Sequence, residues 1–359
     1  MVWALHDVCV TAVRPSCSGR SSMHRLLAAS LGLAAVIGTA EAQEFTFRLH
    51  SFSSPTSLDH TMHLDRWAER VEAASDGRIR IEIFPAMQLG GAAGDLVQQL
   101  EDGVVDMIWT VAGFTPGRFP GMEGIELPFM NTGLSATMSP AAMEFALEHL
   151  QDEFDGIKII SIHTTDRAIL HTVDKPVRTK EDLEGMRIRV AGRFIGEAVR
   201  ALGGVPVGIP LPGVYEALAR GQVDGMYINW AITLPYRFYE VTNYQTDTAL
   251  FQGTLLTLMS QDAYDRLPDD LKAVIDAESG IAYAKRLGEI WDGQTEAARQ
   301  ATIDAGNEVF ELTPEERARW IEAVRPAYDA WIAEMNRLGR DGEALFEAVL
   351  EITAKYGRN

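Results

Sequence analysis

Through Met186-Arg187-Ile188-Arg189-Val190 apolar and polar residues alternate with the two-residue period of a β-strand, and after Gly192 the spacing changes to that of an amphipathic helix near Phe194 to Leu202. The same alternation opens at Phe45 and returns over Arg78 to Phe84, with Met62, Trp67, Val71 and Ala74 between them on one helical face. This strand-helix-strand start predicts a parallel sheet. A loop rich in Gly and Pro follows over Phe114 to Pro128, then a helix from about Pro140 to Gln151 and strands over Ile157 to Thr164 and Arg167 to Val173. Two apolar segments between Phe238 and Thr257 would carry the chain back to its first half. From Pro268 to Lys355 the pattern is almost wholly helical, broken at Thr313-Pro314 and at Gly339 to Gly342.

Leu96 to Trp109 and Val214 to Tyr227 share one plan, in which a helix, a terminating glycine (Gly103, Gly221) and a short strand carrying Val-Asp follow in order. The chain therefore reads as two similar α/β lobes whose strand ends face each other across a cleft, a favoured place for a small-molecule site. Trp109 lies at the end of the first of these strands, and Asn229 and Trp230 at the end of the second. Trp291, Trp320 and Trp331 sit at helical spacing among apolar partners and read as packing residues.

Arg187 and Arg189 share one strand face. The second is nearer the carboxyl end, where ligands bind in open α/β sheets. A guanidinium there offers a planar fork of donors matched to a carboxylate. Arg187 reads as its solvated neighbour.

A basic stretch ending near Arg25, an apolar run from Leu26 to Ile37 and Ala40-Glu41-Ala42 before Gln43 predict a secretory signal peptide over residues 1–42, with Met23 as an alternative start. The run is too short for a membrane span. Both cysteines, Cys9 and Cys17, fall inside it, so the exported protein would carry neither disulfide nor thiolate chemistry. The formal net charge of −19 grows by one more negative unit when three arginines and two carboxylates leave with the signal. Such a surface argues against nucleic acid and against anionic lipid, yet leaves room for a local basic pocket. No nucleophile elbow, no His-Glu-x-x-His and no phosphate-binding Gly loop is present, and Asp106 and Asp224 are equivalent positions of two lobes rather than a catalytic pair. His60 and His63 lie three apart without an evident third ligand, so no metal and no cofactor is expected, and the two read as a loop-facing polar residue and a surface residue. Enzymatic activity is not expected.

The run Asp182, Leu183, Gly185, Arg187, Arg189, Val190, then Ala201-Leu202-Gly203, then Tyr215, Ala217, Leu218, Gly221, Val223, Asp224 and Gly225 resembles the solute-binding proteins of TRAP transporters, the tripartite ATP-independent periplasmic systems. The resemblance extends from about Phe45 to the C-terminal helices. It implies a two-lobe, type II-like periplasmic binding protein with a central ligand cleft and long C-terminal helices bracing both lobes. On that pattern lobe 1 spans 43–165, lobe 2 spans 166–235, a return segment to lobe 1 spans 236–265, and the bracing helices occupy 266–359. It further implies that Arg189 fixes the carboxylate of an organic acid and that Arg167 supplies a second polar contact. Asn229 would meet a ligand polar group, with Trp109 and Trp230 as apolar walls. The expected partners are the organic acid and the membrane subunits of the transporter, without membrane insertion of this chain; a ligand sensor of the same fold is the alternative. After Asp224-Gly225 the run Met226 to Trp230 is more apolar than the family pattern, which points to an acid with an apolar or aromatic body.

Overall fold

The computed structural model describes residues 43–130 and 133–357, so the segment expected to be a signal peptide, with its two cysteines, lies outside the described residues. Eleven strands among them form two sheets. The first holds β1 (Phe45–Ser51), β2 (Ile79–Phe84), β3 (Met107–Val111), β4 (Ile157–Thr164) and β10 (Thr254–Ser260) in the order β2-β1-β3-β10-β4. The second is ordered β11-β9-β5-β8-β6-β7, with β5 (Ala168–Thr172), β6 (Arg187–Val190), β7 (Val205–Gly208), β8 (Gly225–Asn229), β9 (Tyr244–Phe251) and β11 (Glu308–Glu311). β1 runs parallel to β2 and β3, and β6 parallel to β7 and β8, as the strand-helix-strand patterns require. β10 is antiparallel to both its neighbours.

The internal repeat is a repeat of contacts as well as of letters. Gly103 and Gly221 both take positive φ, 69° and 63°, in the turn between helix and strand where a side chain would be strained. Asp106 then accepts the backbone N–H of Arg48 at 2.9 Å, and Asp224 accepts that of Arg187 at 2.8 Å. Each Val-Asp thereby ties its strand to the neighbouring strand, a structural use for both carboxylates.

The chain passes from the first sheet to the second between β4 and β5 and returns between β9 and β10. Of the two apolar segments read as returning to the first lobe, only β10 does so. β9 stays in the second sheet between β5 and β11, because Gln252 and Gly253 make the crossing in two residues. The two crossings are bonded to each other: Thr165 N donates to Gly253 O at 2.9 Å, and Gly253 N donates to Thr165 Oγ1 at 3.1 Å. A third connection is the 25-residue helix Gly280–Asp304, which precedes β11.

Apolar faces of both sheets are covered by helices, with Trp67, Leu49 and Ile79 buried in the first lobe and Ile188, Val199 and Met226 in the second. Trp320 and Trp331 are fully buried, and Trp331 Nε1 donates to Pro120 O at 2.8 Å. The helix read as starting near Pro140 begins a turn earlier, over Ser135–His149, because Asp292 of the long helix caps its first N–H groups. His60 and His63 are both buried rather than exposed, His60 against Ser51 Oγ at 2.6 Å and His63 edge-on to His163. No described helix is long and apolar enough to cross a membrane.

Candidate ligand-binding cavity

A cavity of about 130 Å³ lies where the carboxyl ends of β1, β3, β6 and β8 converge on the two crossings. That is close to the ~150 Å³ known to hold one benzene ring. The first lobe contributes Phe52, Asp59, Trp109, Phe114 and Leu255; the second contributes Ala168, Arg189, Tyr227, Asn229 and Phe251; Trp291 comes from the long helix.

The walls are aromatic. Phe52 stacks on Trp109 with centroids 4.9 Å apart and meets Phe114 edge-on at 4.9 Å. Tyr227 meets Phe251 edge-on at 6.4 Å. Such offset and edge contacts hold ring faces in fixed orientations. The Trp109 indole N–H is buried without an acceptor among the described residues.

Arg189 is 2 % exposed. Its Nε donates to Ile209 O at 2.9 Å and one terminal nitrogen to Tyr227 O at 3.4 Å, so two backbone carbonyls aim the guanidinium. No carboxylate pairs with it among the described residues, and burial alone pulls its pKa down to about 10. A buried cation without a counter-ion carries a large desolvation cost that a bound anion would offset. Its strand neighbour Arg187 is exposed and gives its guanidinium to Asp224. The two arginines share a face of β6 and differ in position along it: Arg187, at the start of the strand, stays at the surface, and Arg189, two residues nearer its carboxyl end, reaches the cavity.

Asn229 lines the cavity, and its Nδ2 donates to Asp166 Oδ1 at 2.6 Å. Asp166 is fully buried at the first crossing and also accepts from Ala231 N at 3.2 Å and Thr295 Oγ1 at 3.1 Å. Burial nevertheless pushes its carboxyl up to about 7. Asp59, a buried acid in the cavity lining, is likewise raised by burial to about 7, and Ser53 Oγ donates to its Oδ2 at 3.2 Å.

Two of the five residues singled out from the sequence are not in the cavity lining. Arg167 adjoins Ala168, whose side of the strand lines the cavity, so it projects away, 40 % exposed at its side chain, and pairs with Asp247 at 3.6 Å. Trp230 begins the short helix Trp230–Thr233 and turns from the cleft to pack on Ile169 and Ala298, edge-on to His171 at 5.6 Å. Trp291, read as a packing residue, packs in the first lobe's apolar core and also lines the cavity. Sequence reading missed Phe52, Asp59, Phe114, Tyr236 and Phe251. It also passed over Tyr227, although the internal repeat sets Tyr227 opposite Trp109.

The model of the bacterial extracellular solute-binding proteins, family 7, matches residues 50–334. A marine-metagenome TRAP solute-binding protein, described as specific for aromatic acid ligands and solved with metahydroxyphenylacetate, is 36% identical. It superposes with a TM-score of 0.84 over 88% of this chain and 100% of its own. A TRAP solute-binding protein from Rhodoferax ferrireducens, solved with copurified benzoate, is 34% identical with a TM-score of 0.82, over 87% of this chain and 98% of that one. The ectoine/5-hydroxyectoine-binding periplasmic protein UehA of Ruegeria pomeroyi is 26% identical over 89% of this chain and 93% of its own. With a family model spanning most of its length and relatives matched end to end, this chain belongs to the family 7 extracellular solute-binding proteins, the binding subunits of TRAP transporters.

Proposed function

We propose that this protein captures a single-ring aromatic or similarly apolar organic acid in the periplasm and presents it, unchanged, to the membrane subunits of a TRAP transporter. The observation that carries this reading is Arg189, a buried guanidinium without a counter-ion among the described residues, lining a cavity walled by aromatic side chains. A carboxylate placed on its free nitrogens makes charge-assisted, fork-shaped hydrogen bonds in a site from which water is excluded, where they are strongest. Trp109, with Phe52 stacked behind it, and Tyr227 supply the faces for the ring; Asn229 is a further polar contact. Two relatives above 30% identity, solved with metahydroxyphenylacetate and with benzoate, support the ligand class.

On this reading residues 1–42 export the chain. Lobe 1 comprises residues from 43 to the first crossing together with β10, and lobe 2 the residues between the crossings, with the C-terminal helices against both. A ligand bridging the lobes favours their closed arrangement only by its differential affinity for it, and that closed form is what the membrane subunits read.

A thermal-shift panel tests the reading, using the protein from Gln43 onward with benzoate, phenylacetate, mandelate, C4-dicarboxylates, hexuronates and ectoine. A ligand at a hundred times its dissociation constant adds about 2.7 kcal/mol to native stability. The expected result is a rise with monocarboxylates bearing one ring and little with dicarboxylates or hexuronates. A rise confined to the polar acids would overturn the aromatic assignment, and recovery of a chemically altered ligand would overturn the binding-only role.

A further inference from the structure

Arg189 is the buried basic group of the cavity lining, and a buried acid stands on the opposite lobe. Asp59 follows the turn after β1 and lines the cavity with 6 % of its surface exposed. Ser53 Oγ donates to its Oδ2 at 3.2 Å, while Oδ1 is buried with no partner among the described residues. No cation pairs with Asp59 among the described residues, and Arg189 is bonded to backbone carbonyls instead. An acid left half-satisfied in an apolar enclosure costs stability, since a buried acceptor without a donor forfeits its hydration. Leu58 precedes it and Tyr236 stands near enough to feel its charge, and both line the cavity together with Ser53 and Ser57. Packing gains nothing from a carboxylate there. What the free oxygen lacks is a hydrogen-bond donor, and Asp59 lines the space in which the ligand would lie.

We infer that Asp59 is a specificity-determining contact, accepting a hydrogen bond from a ring hydroxyl of the bound acid while Arg189 holds its carboxylate. The inference rests on the cavity being an aromatic-acid site. The two polar groups belong to different lobes, so a hydroxylated aromatic acid is held from both sides of the cleft and couples its binding to closure. An acid lacking the hydroxyl leaves Asp59 Oδ1 unpartnered, and a methyl ether both removes the donor and adds bulk against it.

The test is isothermal calorimetry of the protein from Gln43 onward with benzoate, 3- and 4-hydroxybenzoate and their methyl ethers. The measurement is repeated on Asp59→Ala and, as a shape-preserving variant, Asp59→Asn. One hydroxybenzoate is expected to bind roughly ten- to a hundredfold more tightly than benzoate and than its own ether, the range of a hydrogen bond to a charged group. That advantage should vanish in Asp59→Ala and shrink in Asp59→Asn. Equal affinity of wild type for benzoate and both hydroxybenzoates would overturn the inference while leaving the aromatic-acid reading intact, as would a hydroxyl advantage that survives Asp59→Ala. Failure of wild type to bind any of these acids would instead remove the aromatic-acid reading itself. Should the variants not fold, the comparison of hydroxybenzoates with their ethers on wild type decides.

Discussion

Asp292 accepts the backbone N–H groups of Ser135 and Ala136 at 2.9 and 2.8 Å, and Gly288, one helical turn earlier on the same helix, lies so close to Ser135 that a β-carbon would stand 2.3 Å from its carbonyl oxygen. One helix face therefore both caps and abuts the start of another, whose own N-cap position is held by Leu134 and offers no side-chain acceptor. Gly288→Ala must push the helices apart and is expected to cost about 1–3 kcal/mol. Asp292→Ala should cost about 1 kcal/mol, in line with loss of an N-cap. Urea unfolding at neutral pH measures both. Because the sites share one contact, their effects in the double variant should sum to less than the separate losses; full additivity would show that cap and close approach are independent.

Arg189→Met separates binding from stability. The guanidinium is buried without a counter-ion among the described residues, so an apolar side chain of similar length should leave the ligand-free protein as stable, or up to about 2 kcal/mol more so, after the loss of its bonds to Ile209 and Tyr227 is set against the relief of desolvation. Affinity for a ligand carboxylate should fall by about a hundredfold or more. A thermal melt of the apo protein and calorimetry with benzoate read the two effects separately. Retained affinity would end the role proposed for this arginine.

Arg167→Ala is expected to do little to binding. The side chain is 40 % exposed and its ion pair with Asp247 is long at 3.6 Å, so its loss should change stability by less than ~1 kcal/mol and leave the ligand affinity of the wild type in place. Trp230→Phe should behave oppositely to a wall residue, lowering stability by removing its packing on Ile169 and Ala298 without changing which acids bind. A strong affinity loss in either variant would put that residue back at the ligand.

These placements show which parts of the site could be read from the residues. Arg189 was legible because a two-residue period and a strand end locate a side chain well, and Trp109 and Asn229 because both stand at the ends of repeated strands. Arg167 and Trp230 stand one residue outside the lining: Ala168 takes the cavity-facing position beside Arg167, and the chain turns into a helix after Asn229. The two-lobe plan was visible in the repeat Leu96–Trp109 and Val214–Tyr227, whose aspartates prove to make the same inter-strand bond. Asp59 and Trp291 were not visible. Each reaches the cavity through tertiary packing, one from a turn after β1 and one from a helix nearly two hundred residues beyond Trp109, and neither position carries a local pattern that separates a wall from a core. β9 was misplaced for a related reason, since apolar content says that a strand is buried but not in which sheet.

Asp166 ties the first crossing to Asn229, to Ala231 and, through Thr295, to the long helix, and it does so as a buried acid. Burial, with a smaller push from nearby Asp292, raises its carboxyl from 3.8 to about 7 in the folded protein. The folded state therefore keeps the proton over a range in which the unfolded chain has released it. With more protons bound to the native state, stability must fall as pH rises between about 4 and about 7, and above that the ionised carboxylate stays buried at full cost. Asp166→Asn keeps an acceptor for Asn229 and removes the ionisation. The stability of this variant relative to wild type should accordingly climb by a few kcal/mol from pH 4 to pH 8, at about 1.4 kcal/mol for each unit of pKa displacement. Taking the difference between the two proteins cancels the opposing contribution of the buried histidines His63, His163 and His171, whose pKa values are depressed and which favour the folded state as pH rises. Urea midpoints for both proteins at half-unit steps of pH give that difference. A flat profile would mean that Asp166 is ionised throughout and that its three donors, rather than burial, set its charge at the crossing.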